Sequence, residues 1–188
     1  MGEDLITKKD YKKYAGISSN TQDQKIDILI PKISQFIKNY CRRTFIDYAF
    51  DYKTDIFHGG WEYLLLQEDP ILEIQSVSVS EDLGRTYTEV DEYDYWILDG
   101  YKIRPTTTTL FTEMFNGYKV VYRAGYEELP EDVLLACMDM VSYYMKNDGT
   151  VKAVKFTNTS TMQTEFISDI ALPSYIRRIL DNYVLDYT

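Results

Sequence analysis

Between Phe45 and Gly125 the apolar residues of this chain recur at about every second position, and on both sides of that stretch they recur every third or fourth. Side chains alternate faces along a strand and repeat about every 3.6 residues around a helix, so a change of period separates sheet from helix. The expected class is therefore α+β: a bundle of about three to four helices with an antiparallel β-meander over 45–125 inserted into it, and a C-terminal arm ending in a short helix. Within 188 residues this fits a main domain over 1–148 followed by an arm over 149–188.

The helical segments carry their own start and stop signals. In "ITKKDYKKYAG" Thr7 is placed to cap a helix over 7–15, with Asp10 three residues on and Gly16 at the end. Over 22–42, Ile26, Ile30, Ile33, Ile37 and Tyr40 alternate spacings of four and three, which builds one wide apolar face. Pro31 removes one backbone hydrogen bond inside that helix and is expected to kink it. "CRRTF" closes it with two cations near the negative end of the dipole.

Turn dipeptides punctuate the region of period two. "YWILDGYKI" reads as a hairpin with Asp99-Gly100 as a two-residue turn, and Asn116-Gly117 offers a second turn. In "ILEIQSVSVSED", Ile74, Ser76 and Ser78 alternate with Gln75, Val77 and Val79, after an Asp69-Pro70 entry. The Thr-rich "RPTTTTLFTEMF" suits an edge, and Pro105 argues against a central strand there.

The helix expected over 130–146 is the least ordinary element. Pro130 suits the first helical position, and Glu131 and Asp132 complement its positive end. From Val133 to Met145 the only charge is Asp139; Val133, Cys137, Met140 and Tyr144 form one stripe, and Leu134, Met138, Val141 and Met145 another. A helix apolar nearly all round is buried on several sides, and in a chain this small a neighbouring subunit is an expected cover. Val133, Leu134, Met138, Val141, Tyr144 and Met145 are the resulting candidates for a subunit interface. After the weakly alternating "VKAVKFTNTSTMQTEFIS", "LPSYIRRILDNYVLDY" sets Ile176, Ile179, Leu180, Tyr183 and Val184 along one side of a short helix, which either docks elsewhere or packs on its own domain.

Composition excludes several functions. The net charge of -10 is concentrated in residues 59–149, with 6 basic and 18 acidic groups, and opposes nonspecific nucleic-acid binding. No run of 18 apolar residues is present to span a membrane, and "MGEDLITKKD" lacks a signal peptide's apolar core, so cytosolic synthesis without export is expected. Cys41 and Cys137 lack C-x-x-C spacing and read as reduced core thiols. The single histidine, His58 in "FHGGW", has no recognisable nucleophile and reads as a turn residue. Asp91, Glu92 and Asp94 lack the Gly and terminal Glu of a calcium loop. Glu127, Glu128, Glu131 and Asp132 have a helix-dipole explanation instead of acid/base work. No catalytic residue, metal or cofactor is expected. Eighteen tyrosines supply amphipathic contact area of the kind interfaces use.

The order of these elements, with "ISQFIKNYCRRTF", "DPILEIQSVSV" and "YRAGYEELPEDVLLACMDMVSYY", resembles the head-to-tail connector (adaptor, or head completion) proteins of long-tailed bacteriophages. The matching positions are Gly125, Tyr126, Pro130, Glu131, Asp132 and the helix from Val133, and "GTVKAVKF" through "LPSYIRRILDNY" is similar to the family's arm and final helix. That resemblance implies a non-enzymatic virion protein, assembled in the host cytoplasm into a dodecameric neck ring. Its implied partners are further copies of itself, the portal protein, and a stopper or tail-completion protein, with genome DNA passing through the lumen without sequence-specific binding. It also implies portal docking by the C-terminal segment, here Tyr175, Ile176, Ile179, Leu180, Tyr183 and Val184. The acidic middle segment suits a wall past which DNA slides. A different class, a Tyr-rich accessory module binding a carbohydrate or peptide, is the alternative.

Overall fold

Helix α1 runs Lys8–Ala15, begun by Thr7, whose side chain accepts the Asp10 N–H at 3.2 Å, and ended by Gly16 in the left-handed conformation. Helix α2, Asp23–Cys41, is continuous through Pro31. Its end is a Schellman-like closure in which Arg42, not a glycine, takes a φ of 56° and the Arg43 N–H reaches the Lys38 carbonyl at 3.2 Å. The computed structural model describes residues 2–91, 95–98 (backbone only), 100–106, 111–146 and 172–185. Of the expected arm and short helix over 149–188, residues 149–171 and 186–188 lie outside them.

Among the described residues seven strands follow: β1 Lys53–Phe57, β2 Leu64–Leu65, β3 Ile71–Val79, β4 Thr88–Glu89, β5 Tyr95–Leu98, β6 Lys102–Pro105 and β7 Tyr118–Ala124. Helices α3, Glu131–Lys146, and α4, Ser174–Asp181, complete the elements. The class is α+β as expected, but the strands do not run as one meander. They form two antiparallel sheets, ordered β1-β7-β3-β4 and β2-β6-β5, so the last strand in sequence lies inside the first sheet. Burial agrees with its central place: β7 alternates fully, with Tyr118, Val120, Tyr122 and Ala124 buried.

Three local expectations are corrected. Leu98 pairs with Lys102, so three residues link β5 to β6, with Gly100 at φ 75°; the left-handed position that glycine tolerates belongs to a three-residue loop. Strand β3 carries two register shifts against β7, between Ile71 and Glu73 and between Ile74 and Ser76, and its alternation breaks so that Val77 and Ser78 are both buried. Pro105 ends β6, the middle strand of its sheet. β2 reaches only Lys102 and Ile103, so the missing N–H of Pro105 costs no bond to β2.

The chain forms two compact units that interleave along the sequence, a division different from a boundary at 148/149. The sheet unit is built from Lys38–Pro130 with the chain ends, and its core gathers Leu64, Leu66, Val77, Ile103, Phe111 and Tyr118 with the inward face of β7. The helical unit comprises Asp4–Ile37 and Glu131–Tyr183, with Tyr11, Ile26, Ile30, Ile33, Met140 and Ile176 buried. Burying a side chain of this size contributes about 1.5–3 kcal/mol.

Candidate interaction surfaces

In the helical unit, α3 buries Val133, Ala136, Cys137, Met138, Met140 and Val141 within its own chain. Helices α1 and α4 both pack on it. Three of the six interface candidates, Val133, Met138 and Val141, are therefore core residues of the single subunit. Leu134, Tyr144 and Met145 keep partial exposure, and Leu135, which the stripe pattern did not single out, is exposed. The helix has less apolar surface to offer a neighbour than its sequence suggests, because six of its side chains are already buried within the single chain.

The lone charge within that helix is satisfied by tyrosines. Asp139 accepts a hydrogen bond from the Tyr14 hydroxyl at 2.6 Å on α1 and from the Tyr175 hydroxyl at 3.2 Å on α4. The carboxylate holds the Tyr14 hydroxyl protonated, raising its pKa to about 12, and burial together with Asp139 raises Tyr175 in the same direction. Both rings are exposed, and Leu135 lies one turn before Asp139 on the same helical face. The outcome is a tyrosine–leucine patch whose carboxylate is already engaged on both oxygens.

Helix α4 distributes its six candidate docking residues unequally. Ile176 and Leu180 are fully buried against their own unit, Ile179, Tyr183 and Val184 are partly buried, and Tyr175 is exposed. The Tyr183 hydroxyl donates to Asp132 at 2.7 Å, at the start of α3. Docking elsewhere through Ile176 and Leu180 would require α4 to leave the core it completes.

The second surface is one end of the four-stranded sheet, where β1 and β3 finish and β7 begins. Three loops are bonded together there. The Gly59 N–H reaches Met114 O at 2.9 Å, the Phe111 N–H reaches Trp61 O at 2.9 Å, and the Ser80 N–H reaches Gly117 O at 2.8 Å. His58 Nδ1 accepts the Asn116 N–H at 3.0 Å while its ring stacks on Phe115 at 4.6 Å. His58 is thus a loop-fastening residue in a turn. Asp82 organises the third loop by accepting from the hydroxyls of Ser80 and Thr86 and from the N–H groups of Arg85 and Thr86. Those donors, Thr86 foremost, lower its pKa to about 2.

These fastened loops hold large apolar side chains outward: Trp61 is 67 % exposed, Phe115 61 % and Leu83 58 %. Beside them a groove of about 560 Å³ is lined by Ile56, Phe57, His58, Tyr63, Leu64 and further residues of this stretch. No sequence pattern marked these side chains, since scattered single aromatics in loops carry no period.

Chemistry of other kinds finds little support. Among the described residues no group of three or more His, Cys, Asp or Glu is arranged to hold a metal ion. Burial raises the Cys137 thiol to about 12, the wrong direction for a nucleophile. Of the acidic run, Asp91 is exposed, and Glu92 and Asp94 lie outside the described residues. Glu127, Glu128 and Glu131 are exposed around the start of α3. No helix among the described residues is long and apolar enough to cross a membrane.

A family model described as head completion protein matches residues 4–184. No curated protein matches the chain. Among solved structures, the chain is similar to one in the neck of an empty GTA particle obtained with C6 symmetry, with a TM-score of 0.64 and 10% identity over 98% of this chain and 91% of that one. It is also similar to a chain in the neck of a native GTA particle obtained with C12 symmetry, with a TM-score of 0.61 and 11% identity over 100% and 97% of the two chains. A third likeness, to a chain in the virion of a native gene transfer agent particle, has a TM-score of 0.57 and 10% identity over 89% and 80%. At these identities the likeness establishes the fold.

Proposed function

The chain belongs to the head completion protein family, and from that premise we propose that it is a structural protein of a phage-like virion neck, forming a ring that joins the capsid portal to the stopper or tail. The observation that carries this reading is the fold likeness along essentially the whole chain to subunits of particle necks, 98% of this chain against 91% of one of them. The C6 and C12 symmetries used for those necks support a ring of repeated subunits, and a closed rotation satisfies head-to-tail contacts without open filaments. The role is structural, with no catalytic step.

Self-association would use surface that the single chain leaves open. Leu134, Leu135, Tyr144 and Met145 on α3 meet that condition; Val133, Met138 and Val141 do not. The C-terminal region faces the portal in this reading, through the exposed side of α4 with Tyr175. Ile176 and Leu180 hold that helix in place. Glu81, Glu89, Asp91, Glu113, Glu127 and Glu128 are exposed on the acidic middle of the chain, and such a wall repels phosphate, letting DNA pass without adhering.

The test is particle assembly without this protein. Heads packed with DNA but lacking joined tails, restored by the supplied chain, are the expected result. Normal joining in its absence would remove the neck role. A cryo-EM map of the restored neck places the exposed carboxylates; a position wholly on the outer wall would end the lumen argument.

A further inference from the structure

Asn116 is the one asparagine of this chain that a glycine follows. Glycine has no side chain to shield its peptide nitrogen, so in this pair the nitrogen reaches the preceding asparagine side chain with the least hindrance. The fold makes that glycine obligatory: a Cβ on Gly117 would lie 2.6 Å from Met114 Cβ. The turn that joins the 111–116 loop to β7 is therefore built on the asparagine pair most open to chemical change, and the neck reading makes no use of it.

The folded chain grips Asn116 from three sides. Its N–H donates to His58 Nδ1 at 3.0 Å, its carbonyl accepts the Tyr87 hydroxyl at 2.9 Å, and a Cβ on Gly84 would lie 2.8 Å from its own Cβ. One residue on, the Gly117 carbonyl accepts the Ser80 N–H at 2.8 Å. These contacts hold Asn116 in the left-handed region, at φ 49°. Attack by the Gly117 nitrogen on the Asn116 side chain swings the peptide between the two residues, and the carbonyl of that peptide is the oxygen Tyr87 holds. The bonds that fasten the loop thus oppose the reaction that the sequence invites.

We propose that Asn116 is a deamidation site whose rate is set by His58 and Tyr87. The Gly117 nitrogen forms a bond to Asn116 Cγ, its proton leaves with the side-chain amide as ammonia, and a succinimide ring remains. Water then adds to one of the two ring carbonyls and breaks the C–N bond there, giving aspartate when the Cγ–N bond opens and isoaspartate when the main-chain bond opens. One water is consumed and one ammonia released, with no oxidant or reductant. Water reaches the site because Asn116 is only partly buried. Isoaspartate carries the main chain through the former side chain, which adds a carbon to the path and turns the Asn116 carbonyl into a free carboxylate. The distance between the His58 bond and the Ser80 bond then no longer fits, so the loop of Phe115 loses its fastening and Tyr118, whose ring meets Phe111 edge-on at 4.8 Å, is displaced at the start of β7.

The experiment is prolonged incubation of the full chain and of two variants, H58A and Y87F, in neutral buffer with and without urea, with circular dichroism to check folding. Peptide mapping by mass spectrometry locates the amide-to-acid conversion, and enzymatic methylation specific for isoaspartate identifies the longer-backbone product. In the wild type, conversion is expected first at Asn116 and more slowly in the folded chain than in urea. Each folded variant should convert about fivefold faster than folded wild type, the change in loop opening that loss of one ordinary hydrogen bond brings. In urea all three should convert at one rate, which separates the fastening from the chemistry itself. If H58A does not fold, Y87F decides, since it removes a single oxygen. Folded variants that convert no faster than wild type, a folded wild type that converts as fast as the unfolded chain, or conversion that begins at another asparagine would each overturn the proposal. The neck role stands apart from all of these outcomes, since tail joining tests it.

Discussion

The Tyr122 hydroxyl on β7 donates to Asp55 Oδ2 on β1 at 2.6 Å, with both residues buried in the sheet unit. Asp55 also accepts the Gln67 N–H at 3.2 Å, and the Tyr122 oxygen accepts the Glu68 N–H at 3.3 Å. Lys53 lies 3.7 Å from both Asp55 and Glu68. Tyr122→Phe leaves the carboxylate one donor short and the Glu68 N–H without its acceptor, so a loss of about 1–3 kcal/mol is expected in urea unfolding. The same pair sets an alkaline limit. Burial, then Asp55, raises the Tyr122 pKa above its ordinary value near 10. The unfolded chain therefore releases this proton first as pH rises, so the contribution is complete below about pH 10 and declines above it. Stability measured from pH 9 to 12 should fall less steeply in Tyr122→Phe than in wild type; equal slopes would assign the decline to other groups.

The carboxylate between Tyr14 and Tyr175 gives a prediction with a spectroscopic readout. Asp139→Asn replaces a charged acceptor by a neutral one, so Tyr14, raised to about 12 chiefly by its bond to Asp139, should titrate closer to its ordinary value. Absorbance at the tyrosinate band would show one hydroxyl ionising earlier than in the parent chain. These rings are exposed, so global stability should change by about 1 kcal/mol or less.

Helix α4 divides the consequences of mutation sharply by face. Leu180 is fully buried against its own unit, whereas Arg177 is exposed. Leu180→Ala should cost about 2–5 kcal/mol in chemical unfolding. Arg177→Ala should stay within about 0.5 kcal/mol. Removal of 173–188 would uncover the Ile176 and Leu180 sites and also delete Leu185, whose N–H reaches Cys41 O at 2.9 Å. The truncated chain is expected to bind a hydrophobic dye and melt early. A truncated chain as stable as the full one would show that α4 is an appendage.

Most of the local structure was legible because its signals are local. The Thr7 cap, the isoleucine ladder of α2 and the Pro130 start of α3 each placed an end within about a residue of where it lies. Pairing was not legible, since periodicity shows that a strand has a buried face but not which strand adjoins it. Two bulges then turned the alternation of β3 out of phase, and one added residue changed the loop at Gly100. For the interaction surfaces, the stripes of α3 were readable, but whether Val133 or Val141 meets its own chain or another depends on where α1 and α4 fall. The hydrogen bonds that fasten Trp61 and Phe115 outward are tertiary and have no counterpart in spacing.

Gly125 shows how closely one backbone contact is set. It has a φ of 103°, and a Cβ there would overlap the Phe45 carbonyl oxygen. That oxygen is fixed, since it accepts the Tyr126 N–H at 2.7 Å, while the Gly125 N–H reaches Pro70 O at 2.8 Å. Phe45 itself holds a φ of 65° with a buried ring, so it cannot yield without disturbing the core. Gly125→Ala therefore combines an unfavourable backbone conformation with a collision against main chain, and about 3 kcal/mol or more of destabilisation is expected. Tyr126→Ala removes a partly buried ring at the same junction but keeps the backbone bond, and should cost less. Unfolding curves in which Gly125→Ala is the milder of the two would mean that the β7–α3 turn adjusts, and that the Phe45–Tyr126 bond does not fix it.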